Sequence, residues 1–334
     1  MKLAIVKLSA MGDIIHAMVA LQYIKQANPE IQIDWIVEEG FAPILENNPH
    51  IDNILTVNLK TIKKDKILLF REMKKLRAYA KNRYDLVIDA QGLLKSALTA
   101  KLLGKNRAGF SKKSIRERLA SSFYHQKIEI AYDANSIDRN VTVIGEPLEI
   151  NIDSPMIINK EAFLFYVDDN PVLEMYLSEA RKNIIFVIGS TWESRNYPKE
   201  KFVEVANHLK ENILIAWGSE DEHERAKWIA ENSSFARVLP KLTINALKAV
   251  IGKSDLVIGN DTGPTHMAWG LNIPSITIFG PTPINRVYQT PINRVIKSKS
   301  DVNHYKLNKK DFSITEIPSH KVILMAKELL IKAT

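Results

Sequence analysis

Hydrophobic residues fall into short, nearly continuous runs separated by stretches of helical period. The first run, 3–6, ends in the loop Lys7-Leu8-Ser9-Ala10-Met11-Gly12-Asp13, and the apolar spacing after it predicts a helix over 14–26. Residues 31–37 then alternate as a strand. Strand, helix, strand is the repeating unit of a parallel sheet, and continuous apolar runs mark strands covered on both faces. The rhythm returns with a helix over 71–83, a strand over 85–89 and a helix over 95–103. Between 153 and 181 it breaks: Pro155 and Pro171 bracket acidic and aromatic residues without a period, as in a connection between domains. It restarts with strands over 184–188, 213–217, 256–259 and 275–279, helices over 201–210, 222–230 and 265–271, and a closing helix over 319–332.

This pattern predicts an α/β chain of two doubly wound, Rossmann-like parallel-sheet domains facing a cleft. The expected parts are 1–155, a linker over 156–180, 181–315, and a final helical segment over 316–334. In open parallel sheets ligands sit beyond the carboxyl ends of the strands, so the loops that follow strands are where chemistry is expected.

Composition narrows the classes. With 46% hydrophobic and 25% charged residues the chain reads as an ordinary globular protein. The absence of cysteine removes disulfides, thiolate metal sites and thiol nucleophiles together. Residues 262–285 lack Asp, Glu, Lys and Arg, but glycines and prolines interrupt them too often for a bilayer span. Lys7 cuts the first apolar run too early for a signal peptide, so a cytoplasmic location is expected. The net charge of +8 favours an anionic partner, either an acidic substrate or an anionic membrane surface touched peripherally. Basic residues gather at Lys60–Arg77 and again at Lys112, Lys113, Arg116 and Arg118. Lys64 and Arg116 are the candidates there for contacts with an acidic acceptor, although such runs also serve as solvated helix faces.

Four loops after strands carry the candidate chemistry. In Ser9–Asp13 small residues admit a ligand, and Asp13 stands at a helix start, where it caps the helix or faces the ligand. In Gly259-Asn260-Asp261-Thr262-Gly263-Pro264-Thr265-His266, a helix begins straight after a buried strand. Its first N–H groups and the Thr262 hydroxyl suit a diphosphate, Gly263 permits close approach, and Asp261 suits sugar hydroxyls. In Gly189–Arg195, Ser190 and Thr191 offer hydroxyl donors and Arg195 a fixed positive charge for a departing diphosphate. In Trp217–Glu222, an acidic residue after a strand can accept from ribose hydroxyls. The dinucleotide glycine fingerprint, the P-loop lysine arrangement, H-E-x-x-H, an Asp-x-Asp pair and G-x-S-x-G are all missing. No metal site is therefore expected.

Several segments in order resemble the lipopolysaccharide core heptosyltransferases, nearest to the heptosyltransferase I branch. They are Ile5–Asp13, Asp34–Ala42, Val87–Ser96, Leu119–Tyr124, Val238–Lys241, Asp261-Thr262-Gly263 with His266, and Phe279–Thr282. The resemblance spans most of the chain. It implies a GT-B fold with the acceptor on the first domain, ADP-heptose on the second, and a final helix crossing back toward the first. It also implies inverting transfer of heptose from ADP-heptose to Kdo of Kdo-lipid A, with no metal or other cofactor, on the cytoplasmic face of the inner membrane. The family's base falls on Asp13, and its donor residues on Ser190, Thr191, Glu222, Asp261, Thr262, Gly263 and His266. Two positions depart from the pattern. Arg195 stands where the family has a lysine, and Pro283 where relatives often carry aspartate.

Single-step inversion needs one carboxylate to take the acceptor proton while the leaving group departs from the opposite face. Lys95 and its basic neighbours suit a Kdo carboxylate and favour addition of the first heptose over a second or later one. A nicotinamide or flavin oxidoreductase lacks its glycine fingerprint here, and a nucleic-acid binder is suggested by charge alone, so no nucleic-acid partner is expected.

Overall fold

The computed structural model describes residues 1–60, 66–168 and 170–332. The chain divides into two units, Met1–Phe163 and Leu164–Thr334, within the stretch expected to connect the domains.

The first unit runs β1 (Lys2–Val6), α1 (Met11–Met18), α2 (Ala20–Ala27), β2 (Gln32–Glu38), α3 (Ala42–Leu45), β3 (Asn53–Val57), α4 (Lys66–Tyr79), β4 (Leu86–Asp89), α5 (Leu94–Leu103), β5 (Arg107–Phe110), β6 (Gln126–Ile128), α6 (Ser136–Gly145) and α7 (Ser154–Ile158). Its six strands are all parallel in the order β3-β2-β1-β4-β5-β6. The second unit runs β7 (Asn183–Val187), α8 (Lys199–Leu209), β8 (Asn212–Ala216), α9 (Glu220–Glu231), β9 (Ala236–Val238), α10 (Ile244–Gly252), β10 (Leu256–Asn260), α11 (Gly263–Gly270), β11 (Ser275–Phe279), β12 (Asn293–Lys297) and α12 (Ser319–Lys332). Its sheet, β12-β11-β10-β7-β8-β9, is parallel throughout and repeats the first unit's order of strands. That shared order is the dinucleotide-fold order, in which the chain leaves the central strand first to one side and then to the other.

The central strands β4, β7, β10 and β11 are buried at every position, because helices cover both faces of a parallel sheet. On one face of the second sheet, Ile184, Phe186, Ile213, Ile215, Ile258 and Ile276 meet apolar residues of α8, α9 and α12. The closing helix sends Val322, Ile323, Ala326 and Leu329 into this core of its own unit. That spacing is one helical face, and α8 is its main neighbour.

Two further differences from the sequence pattern have local reasons. The helix over 14–26 is two helices meeting at Val19, whose backbone stays helical (φ −58°, ψ −27°). The strands β3, β5, β6, β9 and β12 escape a search for apolar runs because they are short or carry polar and half-buried positions. Among the described residues no helix is long and apolar enough to cross a membrane. Because Ile258 lies fully buried in the second core, Ile258→Ala is expected to cost about 2–5 kcal/mol. A fall in the urea midpoint of the full chain, followed by circular dichroism, checks this.

Candidate functional site

Each sheet reverses its strand order beside its first strand, between β1 and β4 in one unit and between β7 and β10 in the other. The loops after those strands diverge to opposite sides and leave a crevice, where such sheets bind ligands.

In the first unit the two loops are pinned to each other. Gln91 Oε1, after β4, accepts from the N–H groups of Leu8 and Ser9, after β1, at 3.0 Å each. Lys7, buried beneath them, donates from Nζ to Ala90 O and Asn140 Oδ1, both at 2.8 Å. Burial pulls the Lys7 ammonium below its ordinary range, while Asp13 and Asp89 act to hold it charged. Asp13 lies half-buried in the first turn of α1, where its Oδ2 accepts from Ala10 N–H at 3.2 Å. The helix start thereby orients the carboxylate. Asp89, at the end of β4, is fully buried. Burial pushes its carboxyl up, opposed by hydrogen bonds from Tyr124, Gly92, Ser96 and Gln91. Its Oδ1 accepts from the Gln91 and Gly92 amides and its Oδ2 from Tyr124 Oη at 2.7 Å. Gly92 makes this turn at φ +71°, a conformation that favours glycine.

The three acceptor candidates fare differently. Lys95 reaches Glu38 Oε1 at 3.3 Å, so its charge is partly matched within the protein. Arg116 is exposed between β5 and the 3₁₀ turn Arg118–Phe123. Lys64 lies outside the described residues.

In the second unit Asn260, the last residue of β10, braces the two central loops. It donates to Ile188 O at 2.8 Å and accepts from Tyr197 N at 3.0 Å. The next residue, Asp261, is buried with both oxygens engaged. Oδ2 accepts from Arg195 Nη2 and Thr282 Oγ1, each at 2.9 Å, and Oδ1 lies 3.1 Å from His266 Nε2. Burial alone would push this carboxyl up. The His266 hydrogen bond and the charges of Arg195, His266 and Arg286 outweigh it and hold Asp261 well below the usual carboxylate range. Asp261 is thus held from within by Arg195, Thr282 and His266.

Around this carboxylate lie groups suited to an anion. Helix α11 begins at Gly263 after Thr262, whose side chain does not cap it, so its first N–H groups are not capped by that side chain. Thr265 Oγ1 turns back to Asn260 O at 2.8 Å. Ser190 Oγ, after β7, is buried without a hydrogen-bond partner among the described residues. Thr191 is exposed. The Arg195 guanidinium lies 5.4 Å from the Trp192 ring centroid.

Glu222, offered for ribose hydroxyls, completes a capping box at the start of α9. It accepts from Gly218 N at 2.7 Å, while Ser219 Oγ accepts from its own N–H. Its carboxylate lies against Gly189, where an added Cβ would stand 1.9 Å from Oε1. A side chain there would require the Glu222 carboxylate to move away. Beside it the Trp217 ring stacks on His223 at 4.0 Å.

Reading the sequence alone missed Lys7, Asn260, Thr282 and Arg286. Asn260 and Lys7 stand directly at strand ends, which is a usable signal. Thr282 and Arg286 arrive from the β11–β12 loop, and only folding brings them to Asp261. Among the described residues no group of three or more histidine, aspartate or glutamate side chains is arranged to hold a metal ion.

The model of Glycosyltransferase family 9 (heptosyltransferase) matches residues 70–316. Lipopolysaccharide heptosyltransferase 1 of Campylobacter coli is 38% identical over 344 residues, covering 98% of this chain and 99% of its own length. The protein of the same name from Escherichia coli K12 is 32% identical over 289 residues, covering 84% of this chain and 88% of its own length. Among solved structures, Escherichia coli heptosyltransferase WaaC with ADP-2-deoxy-2-fluoro heptose superposes with a TM-score of 0.80 at 27% identity, over 98% of this chain and 99% of that one.

The depressed Asp261 carboxyl has a consequence for stability. The stabilisation from its ionised form is complete above the ordinary carboxylate range near pH 4 and is lost as pH falls through its lower folded value. Asp261→Asn breaks a buried pair and is expected to cost about 3–5 kcal/mol at neutral pH. The gap from the unsubstituted protein should narrow as pH falls below about 4. Urea midpoints across an acid series check both points.

Proposed function

The chain belongs to glycosyltransferase family 9, the heptosyltransferases, and on that premise we propose that it moves heptose from ADP-heptose to Kdo of Kdo-lipid A, with inversion and without a metal. The observation that carries this reading is the anion site of the second unit. There the start of α11, the Ser190 hydroxyl and the Arg195–Asp261 pair meet at the ends of β7 and β10. Such a site fits the diphosphate of a nucleotide sugar. The relative named as WaaC has an ADP-heptose analogue bound, and the relatives named lipopolysaccharide heptosyltransferase 1 support the lipopolysaccharide acceptor.

The chemistry follows from what each group can do. Asp13 takes the proton of the acceptor hydroxyl as that oxygen attacks the anomeric carbon of the heptose. The bond from this carbon to the diphosphate breaks on the opposite face, and ADP leaves with the electron pair. Arg195, the hydroxyls of Ser190, Thr191 and Thr262, and the N–H groups of α11 meet the charge that develops on the leaving diphosphate. Asp261 fixes the guanidinium of Arg195 so that little reorganisation is needed during transfer. Arg195 stands in place of the family lysine, and its planar fork holds Asp261 through Nη2. His266 and Gly263 shape the floor of the same site, and Glu222 supports it by fixing the loop that faces the nucleoside. Lys95 and Arg116 provide cations for an acidic acceptor. Both substrates place the work on the cytoplasmic face of the inner membrane, with the protein in peripheral contact.

The deciding assay treats purified protein with a chelator and then supplies ADP-heptose and Kdo-lipid A. The expected result is ADP release matched by the mass of one added heptose. Transfer that occurs only with divalent metal present, or only onto an acceptor that already carries heptose, would overturn the corresponding part of the reading. The latter result would indicate a later step of core assembly. Asp13→Ala is expected to lower kcat by about 10²–10⁴-fold while leaving ADP-heptose affinity within a few-fold. Near-normal turnover in that variant would remove Asp13 as the base.

A further inference from the structure

We infer that the layer formed by α4, α5 and the 3₁₀ turn Arg118–Phe123 is a docking surface for an anionic phospholipid bilayer. This rests on the heptosyltransferase reading for its biological setting and on independent observations for its location. The segment 66–127 carries 16 lysines and arginines against four acidic residues, whereas the whole chain has a net charge of +8. The charge excess therefore belongs to this segment. The remainder of the protein is net acidic.

Folding sharpens the asymmetry. Of the four acids, Asp89 and Glu72 are buried, and Glu72 accepts from Asn58 N at 2.9 Å. Glu117 is half-buried and accepts from Leu94 N at 2.7 Å. Only Asp85 is exposed, where it accepts from Lys2 N. Most of the described cations are exposed, the exceptions being Lys75, which donates to Thr56, Lys95, paired with Glu38, and Arg107, which donates to backbone carbonyls. Phe70, Lys74 and Arg77 share one exposed face of α4, and Lys81 continues it on the next turn. The opposite face buries Leu76 in the core beneath. Helix α4 packs beside α5, and α5 beside the 3₁₀ turn. Lys101 on α5 and Arg118 on the turn are exposed too.

Apolar groups decide the kind of anion. Phe70 is 73% exposed, Leu119 71% and Leu98 48%, one on each of the three elements. A polyphosphate backbone would reward the cations but gain nothing from these side chains. A lipid surface rewards both, because cations are attracted to an anionic leaflet and exposed apolar side chains enter the boundary between headgroups and acyl chains. Phe70, Lys74, Arg77 and Lys81 are not among the residues assigned to donor or acceptor, so docking and transfer can be tested apart.

Co-sedimentation of the full chain with phosphatidylcholine vesicles, with and without phosphatidylglycerol, tests this without reference to transfer activity. Binding is expected only with phosphatidylglycerol and should fall with rising salt. The triple variant Lys74→Glu, Arg77→Glu, Lys81→Glu should lose about 100-fold or more in vesicle affinity. The milder triple change to glutamine, with an unaltered circular dichroism spectrum, should show the same direction. Phe70→Ser should weaken binding at fixed charge. Equal binding to neutral vesicles, full binding by both triple variants, or RNA binding that competes fully with vesicles and ignores Phe70→Ser would overturn the assignment. Failure of heptose transfer would leave these readings unaffected.

Discussion

Every strand in both sheets runs parallel, and that constraint sets the rest of the structure. Parallel strands send each following loop to the same edge of the sheet, and each return requires a helix across a face. Where the strand order reverses, the loops after two neighbouring strands part to opposite sides. The backbone there cannot satisfy itself by sheet pairing. Side chains take over instead: Gln91 and Lys7 bind the loops of the first unit, and Asn260 those of the second. These braces are polar groups buried for geometry, and they decide where the reactive side chains can stand.

The two switch points carry opposite electrostatic designs. In the second unit, Asp261 is surrounded by Arg195, Thr282 and His266, so a buried acid is matched by a cation, a hydroxyl and an imidazole. Its role is to hold the cations and hydroxyls still, and a fixed array of donors is worth more to a developing charge than a mobile one. In the first unit the deepest carboxylate, Asp89, is held by Tyr124 and two backbone amides, and burial drives it toward the neutral form. The acid left half-buried at the surface of that crevice is Asp13. One crevice thus keeps a half-buried carboxylate at its surface, and the other gathers Arg195 against a buried one.

The outer layer follows the same economy of placement. The acidic residues of 66–127 mostly face inward to accept from backbone amides, and most of the described basic residues are exposed. A helix such as α4 can then bury one face in the core and leave its cations unopposed on the other.

The central strands and the covering helices were legible in the sequence, because burial on both faces forces continuous apolar runs such as those ending at Val6, Asp89 and Asn260. The loops that could carry chemistry were legible for the same reason, since strand ends locate them. Asp13, Ser190 and Thr262 were within reach because each follows such a run directly. The short edge strands were not, since a strand covered on fewer sides keeps polar residues and loses its signature. Nor were the partners of Asp261. Nothing in a carboxylate after a strand announces that Thr282 and Arg286 arrive from another loop and Arg195 from another strand end. The closing helix shows the same limit. Its apolar stripe announced burial, but any apolar face of the protein could have received it, and packing against α8 decided which. Sequence fixes what each segment must hide or expose through short-range periodicity. Which distant side chains share a site depends on strand order, and strand order is a property of the folded sheet.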